Sequence, residues 1–286
     1  MKILEKYLPY FLILPSLLFF LALIVYPTIF SIYISFFQWD LGRKEYPFIG
    51  LMNYIKIFND SFLFKSFINT IYFIIPAIVL QFLIGLGLAL LLNRELKGKR
   101  IITLILTMPM VLTPAATSFM WKLIYHPTIG IFNYFLSFIG VPPRQWIFSP
   151  SEVILSLIII DTWQWSPFIM LSLLAGLNSL PRDFFEAASI DGASPLRTLR
   201  YITLPLLKPI IITVLFFRSI DLFKTFDIIF LLTGGGPGWS STTINIYVFL
   251  QAFTYLHLGY SSVLAIIVTF ILLLIFRTFY KRWGRV

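Results

Sequence analysis

The stretch EAASIDGASPLRTLRYITLPLLKP (residues 186–209) is a polar interruption in an otherwise strongly apolar chain. It contains two acids, two arginines and a lysine, and its single glycine and three prolines interrupt regular structure. The segments on either side, at about 153–174 and 209–232, are long and apolar enough to cross a bilayer as helices. The stretch therefore predicts a loop that lies outside the membrane between two membrane-spanning helices.

The composition of the whole chain indicates a membrane protein. Of the 286 residues, 59% are hydrophobic and 12% are charged, whereas a soluble domain carries about 25% charged residues. A membrane-spanning helix needs about 20 mostly apolar residues, and six segments meet this requirement. We therefore predict an all-α integral membrane protein with six transmembrane helices. These lie within 7–37 and at about 67–92, 101–121, 153–174, 209–232 and 261–280.

The distribution of basic residues predicts the orientation of these helices. If the N-terminus is cytoplasmic, fourteen of the 22 Lys and Arg residues fall in cytoplasmic segments and six fall in outer segments. Because Lys and Arg are enriched on the cytoplasmic side, we expect a multi-pass protein of the cytoplasmic membrane with both termini in the cytoplasm. The net charge of +10 then follows from topology, and nucleic acid is not expected as a partner.

Cysteine and histidine usage excludes several kinds of site. The chain has no cysteine, so neither disulfides nor thiolate metal ligands are available. Its two histidines, His126 and His257, are too few for a multi-histidine metal centre. Neither a G-x-S-x-G nor an H-E-x-x-H motif occurs, which argues against an intramembrane enzyme. We therefore expect no catalytic residues and no metal ligands in this chain.

The polar loop carries local signals for two short helices. Asp183 suits the positive end of a helix over 183–190, and Gly192 ends that helix because glycine adopts left-handed backbone angles at little cost. Ser194, followed by a proline, suits the start of a second helix, which we expect to end or kink at Pro205. The loop is therefore predicted to be a helix–turn–helix on the cytoplasmic surface.

Two interpretations of this helix–turn–helix fit its residues. It is either an amphipathic segment that anchors the loop, or a docking element for a cytoplasmic protein. The sequence favours docking because Glu186 stands beside Ala187 and Ala188. Small side chains let a second backbone approach closely, and a carboxylate can pair with a basic groove on a partner.

The same residues carry a family resemblance. The pattern EAA, three further residues and G (186–192), followed by ITLP (202–205), resembles the signature loop of permease subunits of binding-protein-dependent ABC importers. The resemblance covers nearly the whole chain and is closest to the first permease of carbohydrate importers of the maltose and glycerol-phosphate type. Its further stretches are LPSLLFF (14–20), VYPTIFSIYISF (25–36), GLMNYIKIF (50–58), LLNRELKGKR (91–100), LTGGGPGWSSTT (232–243) and AFTYLHLGYSSVLA (252–265).

The resemblance implies partners and a role for the loop. The partners are a second homologous permease, two ABC ATPase subunits that bind ATP and Mg, and an extracytoplasmic solute-binding protein. The first helix of the loop is expected to dock in a groove of an ATPase subunit and to couple ATP hydrolysis to transport. The chain itself is expected to bind no cofactor. The coupling residues carried over from the family pattern are Glu186, Ala187, Ala188, Asp191 and Gly192.

On this resemblance the chain divides into two parts. Residues 1–66 form an N-terminal span and an outer segment, and residues 67–286 form the permease core with the coupling loop 176–208. The core lacks a G-x-x-x-x-G-K-[ST] phosphate loop, and the glycine cluster GGGPG (234–238) has no lysine. We interpret this cluster as a tight outer turn and expect ATP hydrolysis to take place in separate subunits.

Charged residues in the fifth predicted helix mark a candidate pathway, since a charge at the centre of a membrane helix costs about 2.5–3.5 kcal/mol. Arg218, Asp221, Lys224 and Asp227 recur every three residues with alternating sign. They either form a structural ladder of ion pairs along the helix or reach a polar cavity. In the second interpretation the pathway residues are Asp221, Lys224 and Thr225. In related sugar permeases this part of the fifth helix contributes to the substrate site.

The fourth predicted helix contains IIIDTWQWSPF (158–168), where an acid lies among aromatic side chains. Aromatic rings that stack on sugar rings, with polar groups at their edges, suit a carbohydrate. The candidates here are Asp161, Trp165 and Phe168. Aromatic residues are also common at the membrane interface and in the core, so a structural role stays open.

Together these features predict a permease subunit that translocates a sugar or oligosaccharide by alternating access and has no enzymatic activity of its own. An alternative within the same class is transport of glycerol phosphate or another small polar solute. A less favoured alternative is an ion-coupled secondary transporter. It would use Asp161 and the charges of the fifth helix as a proton or sodium site.

Overall fold

The computed structural model describes the backbone of residues 2–283 and the side chains of residues 10–281. In this part of the chain all regular secondary structure is helical, apart from two isolated β-bridges. The α-helices are α1 (Lys2–Phe20), α2 (Tyr26–Ile34), α3 (Met52–Lys56), α4 (Ser61–Leu92), α5 (Lys99–Val111), α6 (Pro114–Ile124), α7 (Ile131–Phe138), α8 (Val153–Asn178), α9 (Asp183–Ile190), α10 (Pro195–Thr198), α11 (Leu204–Lys224), α12 (Asp227–Thr233), α13 (Ile244–Phe249) and α14 (Leu258–Trp283).

Four helical segments are long and apolar enough to cross a membrane. Among the described residues they are Tyr10–Ile34, Ser61–Leu92, Val153–Asn178 and Leu258–Lys281. They coincide with the first, second, fourth and sixth predicted helices. The chain is therefore an all-helical membrane protein, as its composition predicted.

The third predicted helix is not straight. Helices α5 and α6 meet at a break where the chain bends by 97°. They form one span only if both helices together cross the membrane. Thr113 caps α6 by accepting a hydrogen bond from the Ala116 N–H at 3.4 Å, and Pro114 occupies the first turn. The prediction of one continuous helix at 101–121 was wrong, because these start signals restart the helix after Leu112.

The fifth predicted helix is also interrupted. Helix α11 ends at Lys224, the backbone leaves the helix at Thr225 and Phe226, and α12 begins at Asp227. The Thr225 hydroxyl donates to the carbonyl oxygen of Asp221 at 3.1 Å. Helix α11 also carries several charges, and length and apolarity alone do not identify it as a span within the described residues. The count of six spans therefore stays a prediction.

Two prolines follow π-helical turns, and one of them, Pro205, was expected to end or kink its helix. The π turn Leu199–Thr203 connects α10 to α11, so the helical backbone continues through Pro205. The helix therefore does not end at Pro205, which was one of the two outcomes expected there. The π turn Leu21–Val25 lies ahead of Pro27 in the same way. Proline has no N–H to donate to the preceding turn. A wider π turn before a proline therefore sacrifices no proline hydrogen bond.

The described residues form two compact units. The first comprises the residues up to Leu63 together with Tyr247–Arg277, and the second comprises Phe64–Ile246 together with the residues from Thr278 onward. The division into 1–66 and 67–286 inferred from the sequence stays a prediction.

In the first unit, Asp60 organises the start of α4. Its Oδ1 accepts a hydrogen bond from the Leu63 N–H at 3.0 Å, which caps the helix. Its Oδ2 accepts from the hydroxyls of Tyr247, at 2.6 Å, and of Tyr260. Burial raises the pKa of the Tyr247 hydroxyl above its ordinary value, and the hydrogen bond to Asp60 adds to this shift. The phenol therefore stays protonated and keeps donating to Asp60.

In the second unit, α4, α8 and α11 share an apolar core that fixes the three helices relative to one another. Two glycines permit their close approach. A Cβ at Gly85 would lie 2.8 Å from the Cβ of Ile169, and one at Gly176 would lie 2.6 Å from the Cδ1 of Ile210. The buried members of this core are Ala89, Leu92, Ile169, Met170, Leu173, Leu174, Leu177, Leu207 and Val214.

Candidate functional site

A buried ion pair joins α8 to α11. Arg218 and Asp161 are each 1% exposed, and Nη2 of Arg218 donates to Oδ2 of Asp161. Gln81 on α4 is fully buried and completes the cluster. Its Nε2 donates to Asp161 Oδ2 at 2.6 Å, and its Oε1 accepts from Arg218 Nε at 2.8 Å. We call Gln81, Asp161 and Arg218 the buried charge cluster.

The pairing of Arg218 differs from the ladder that the sequence indicated. Among the described residues, the ion pair of Arg218 is made across helices to Asp161, and no ion pair links it to Asp221 on its own helix. A buried guanidinium must be compensated by a charge at the same depth, whereas Asp221 is exposed. The ladder interpretation was therefore wrong, and Arg218 is part of the helix packing.

A cavity of about 270 Å³ lies beside the buried charge cluster. Helix α8 lines it with Asp161, Gln164 and Trp165, and the break between α11 and α12 lines it with Thr225 and Phe226. No group of three or more His, Cys, Asp or Glu side chains suited to a metal occurs in the described part of the chain. The polar chemistry of the cavity is thus that of hydrogen-bonding and charged side chains.

The structure brings together most of the predicted pathway residues. Phe168 is the exception, because it lies farther along α8 and packs against the apolar core. Its position is that of a structural aromatic residue. The pathway residues that line the cavity are Asp161, Trp165, Asp221, Lys224 and Thr225.

Two glutamines belong to the site but were not predicted. Gln81 holds the buried charge cluster, and Gln164, 3% exposed, lines the cavity. The Nε2 of Gln164 donates to the Leu112 carbonyl at 3.2 Å, whereas its Oε1 has no partner among the described residues. An unpaired buried acceptor is energetically costly. The sequence offers one signal that could have identified them: Gln81 and Gln164 are the two glutamines that fall inside the predicted membrane-spanning helices.

The polar loop has the helix–turn–helix form that its sequence predicted. Helix α9 covers Asp183–Ile190, and Gly192 follows it with φ of +67°. The Ser194 side chain accepts a hydrogen bond from the Arg197 N–H at 3.4 Å and caps α10. The prediction of a helix at 183–190 is therefore confirmed. It could be made from the sequence because the residues that set its boundaries act locally.

The five predicted coupling residues do not all face outward. Ala188 is buried and contacts its own chain, so it is not available to a partner in this arrangement. Large apolar side chains on the same loop are exposed, and Ile190 is 85% exposed. Sequence reasoning did not identify this apolar surface. The exposed coupling residues are Glu186, Ala187, Asp191 and Gly192, and the exposed apolar residues are Phe184, Ile190 and Leu196.

Comparison with known proteins identifies the class. The family model described as "Binding-protein-dependent transport system inner membrane component" matches residues 81–284. The chain belongs to this family: it is a multi-pass inner membrane permease subunit of a binding-protein-dependent ABC importer. As such it is a translocation component and not a catalytic subunit.

Individual relatives are similar along most of the chain. The trehalose/maltose transport system permease protein MalF of Thermococcus litoralis is 39% identical over 100% of this chain and 96% of its own length. The sulfoquinovosyl glycerol transport system permease protein SmoG of Agrobacterium fabrum is 35% identical over 92% of this chain and 86% of its own length. The chain is thus similar to permeases of sugar transport systems.

A solved structure supports the fold. The crystal structure of a bacterial ABC transporter involved in the import of the acidic polysaccharide alginate matches with a TM-score of 0.87. The match covers 100% of this chain and 98% of that chain at 22% sequence identity. The helical arrangement is therefore that of an ABC importer permease.

Proposed function

We propose that this permease subunit imports an uncharged sugar or oligosaccharide by alternating access, driven by ATP hydrolysis in partner subunits. In the proposed assembly it crosses the membrane six times, has both termini in the cytoplasm and pairs with a second homologous permease. Two ABC ATPase subunits, which bind ATP and Mg, dock on its polar loop, and an extracytoplasmic solute-binding protein delivers the solute. The relatives named for trehalose, maltose and sulfoquinovosyl glycerol transport support a sugar.

The cavity beside the buried charge cluster is the observation that carries this proposal. Trp165 offers an aromatic face, and Asp221, Lys224 and Thr225 line the same cavity with polar groups that are not fully buried. An aromatic face with hydrogen-bonding groups at its edge fits the apolar ring face and the hydroxyls of a sugar. We therefore place the solute pathway at this cavity.

The charges of the cavity favour an uncharged solute over glycerol phosphate. The positive charge of Arg218 is already neutralised by Asp161. Lys224 is the second cation on the cavity wall. Asp221 and Asp227 line the same wall. With all five groups ionised the wall carries one net negative charge, and a phosphate would meet repulsion there. We therefore propose a sugar rather than glycerol phosphate as the solute.

Substitutions in the cavity test the pathway. Trp165→Ala and Lys224→Ala in the assembled importer are expected to change the apparent affinity or the specificity of radiolabelled trehalose and maltose uptake into vesicles. Trp163→Ala is the matched control, because Trp163 lies on the same helix but packs against Trp121 with ring centres 5.5 Å apart. If both cavity variants keep the wild-type affinity and specificity, the pathway lies elsewhere.

The polar loop is tested separately for ATPase coupling. Gly192→Glu and Glu186→Lys are expected to abolish ATP-dependent uptake in vesicles while the permease still inserts into the membrane. Glu95→Lys applies the same charge reversal to an exposed residue in another loop and is expected to have no effect. Near-normal uptake by either loop variant contradicts the docking role.

The alternative of an ion-coupled transporter is tested by the source of energy. Asp161, the acid it would use, is engaged by Arg218 and Gln81, which argues against a free proton or sodium site. The proposed importer loses uptake when ATP is depleted. Uptake that survives ATP depletion and is abolished by a protonophore would favour the alternative.

A further inference from the structure

Gln81 differs from the other members of the buried charge cluster in its relation to the cavity. Asp161 and Arg218 line the cavity, whereas Gln81 does not and is fully buried. Its amide nevertheless bonds both of them, donating to Asp161 and accepting from Arg218. Any effect of Gln81 on a solute must therefore pass through these two residues.

Two hydrogen bonds fix the plane of the Arg218 guanidinium. Gln81 holds its Nε at 2.8 Å, and Asp161 holds its Nη2. A planar guanidinium that is held at two of its nitrogens cannot turn about one hydrogen bond without breaking the other. The central carbon of this group lies 5.0 Å from the ring centre of Trp165, within the range of a cation–π contact. The orientation of the cation thus restrains the indole.

We infer that Gln81 is a positioning residue for the transported solute: through Arg218 it fixes the indole of Trp165 at the cavity wall. Without the amide oxygen, the guanidinium keeps its bond to Asp161 but turns about it, and the indole loses a fixed neighbour. This inference rests on the proposed function, since it requires the solute to pass the cavity. A residue that only tied the three helices together would affect stability without affecting the fit of a solute.

The position of the indole is measured by fluorine NMR on the assembled importer labelled with 5-fluorotryptophan. The chain contains seven tryptophans, and loss of one resonance in Trp165→Phe assigns the signal of Trp165. Gln81→Met keeps the side-chain length but removes both hydrogen bonds. It is expected to move the Trp165 resonance more than any other tryptophan resonance of this chain. An unchanged Trp165 resonance overturns the inference.

The consequence for transport is measured as a ratio of import rates for trehalose and maltose, each supplied at saturation. Gln81→Met is expected to change this ratio by about threefold, within the range of one cation–π contact. A structural tie between helices would lower both rates equally and leave the ratio unchanged. Gln251→Met, a glutamine of the other unit that bonds Tyr247 at 2.8 Å, is the matched control.

A double-variant cycle links the two measurements. If Gln81 acts through the indole, the ratio change caused by Gln81→Met disappears in a Trp165→Leu background, which offers Arg218 no aromatic face. An equal change in both backgrounds overturns the inference. If Gln81→Met does not assemble, Gln81→Asn is used, because an amide that is one methylene shorter cannot hold Arg218 Nε and Asp161 in the same arrangement. The Trp165 resonance is then expected to move, and an unchanged resonance contradicts the inference.

Failure of this inference can be told apart from failure of the proposed function. If Trp165→Ala and Lys224→Ala leave affinity and specificity unchanged, the pathway itself is misplaced. If those variants change transport but Gln81→Met leaves the ratio unchanged, only the positioning role is wrong. If the importer carries neither sugar, the fluorine resonance alone decides whether Gln81 positions Trp165.

Discussion

The side chain of Asn69 holds the backbone at Trp239. Its Nδ2 donates to the Trp239 carbonyl oxygen at 3.0 Å and to the Thr242 carbonyl oxygen at 3.1 Å. One amide on α4 therefore anchors the loop that follows α12. The glycine cluster at 234–238 lies in this loop, and its turn is attached to a helix rather than free.

Replacing Asn69 tests this anchor. Asn69→Leu leaves two carbonyl oxygens without their donor, and we expect a loss of about 1–3 kcal/mol of stability. The expected result is a lower unfolding temperature in detergent and faster amide hydrogen exchange across 234–243. Asn59→Leu is the control, since Asn59 is exposed. Equal effects of the two variants would argue against the anchor.

The helix contact at Gly85 predicts a second effect. Gly85→Ala puts a methyl group 2.8 Å from Ile169 Cβ, so α4 and α8 must separate, whereas a Cβ at Gly87 meets nothing within 4 Å. We expect Gly85→Ala to destabilise by about 1–3 kcal/mol and Gly87→Ala to be tolerated. Thermal unfolding of both variants in detergent decides this. An unchanged unfolding temperature for Gly85→Ala would contradict a close contact between α4 and α8 at this position.

The left-handed backbone at Gly192 predicts a third effect, on the polar loop. A Cβ at Gly192 meets nothing within 4 Å, so the cost of Gly192→Ala is that of the backbone angle alone, about 1–2 kcal/mol. Asparagine adopts this angle more readily, and Gly192→Asn is expected to be milder. The measurement is the ratio of solute imported to ATP hydrolysed. Identical ratios for the two variants would contradict a conformational cause.

The buried charge cluster predicts the largest effect on stability. Arg218→Met leaves Asp161 buried without its cation, which costs about 3–5 kcal/mol. Adding Asp161→Asn removes the orphaned charge and leaves an amide that Gln81 can bond. The double variant is therefore expected to be more stable than Arg218→Met alone, measured as folded protein recovered from membranes. A double variant no more stable than the single one would show that the charge is not the cause.

The helix at 183–190 could be predicted to the residue because its boundaries depend on local chemistry. Asp183, Gly192 and Ser194 act within a few residues of their own positions. Composition likewise sufficed for the all-helical membrane class, since a bilayer permits few other folds. These parts of the fold are specified by short stretches of sequence.

The remaining features depend on contacts that are distant in sequence. One of the two interpretations paired Arg218 along its own helix, but its partner lies 57 residues away on α8. The break at Thr225 and Phe226 contains neither glycine nor proline, so no local signal announced it. Gln81 was not predicted for the same reason, because its two partners lie on two other helices. The site is assembled by packing, which the periodicity of single helices does not reveal.

At the π turn Leu199–Thr203 the chain can lose one residue without changing which side chains of α10 and α11 point to which side of each helix. A π turn holds one residue more than an α turn, so a one-residue deletion there restores α-helical geometry. The same deletion inside α11 would rotate everything beyond it by about 100° and turn Arg218 away from Asp161. The polar loop can therefore lose one residue at this turn while the buried ion pair stays in register.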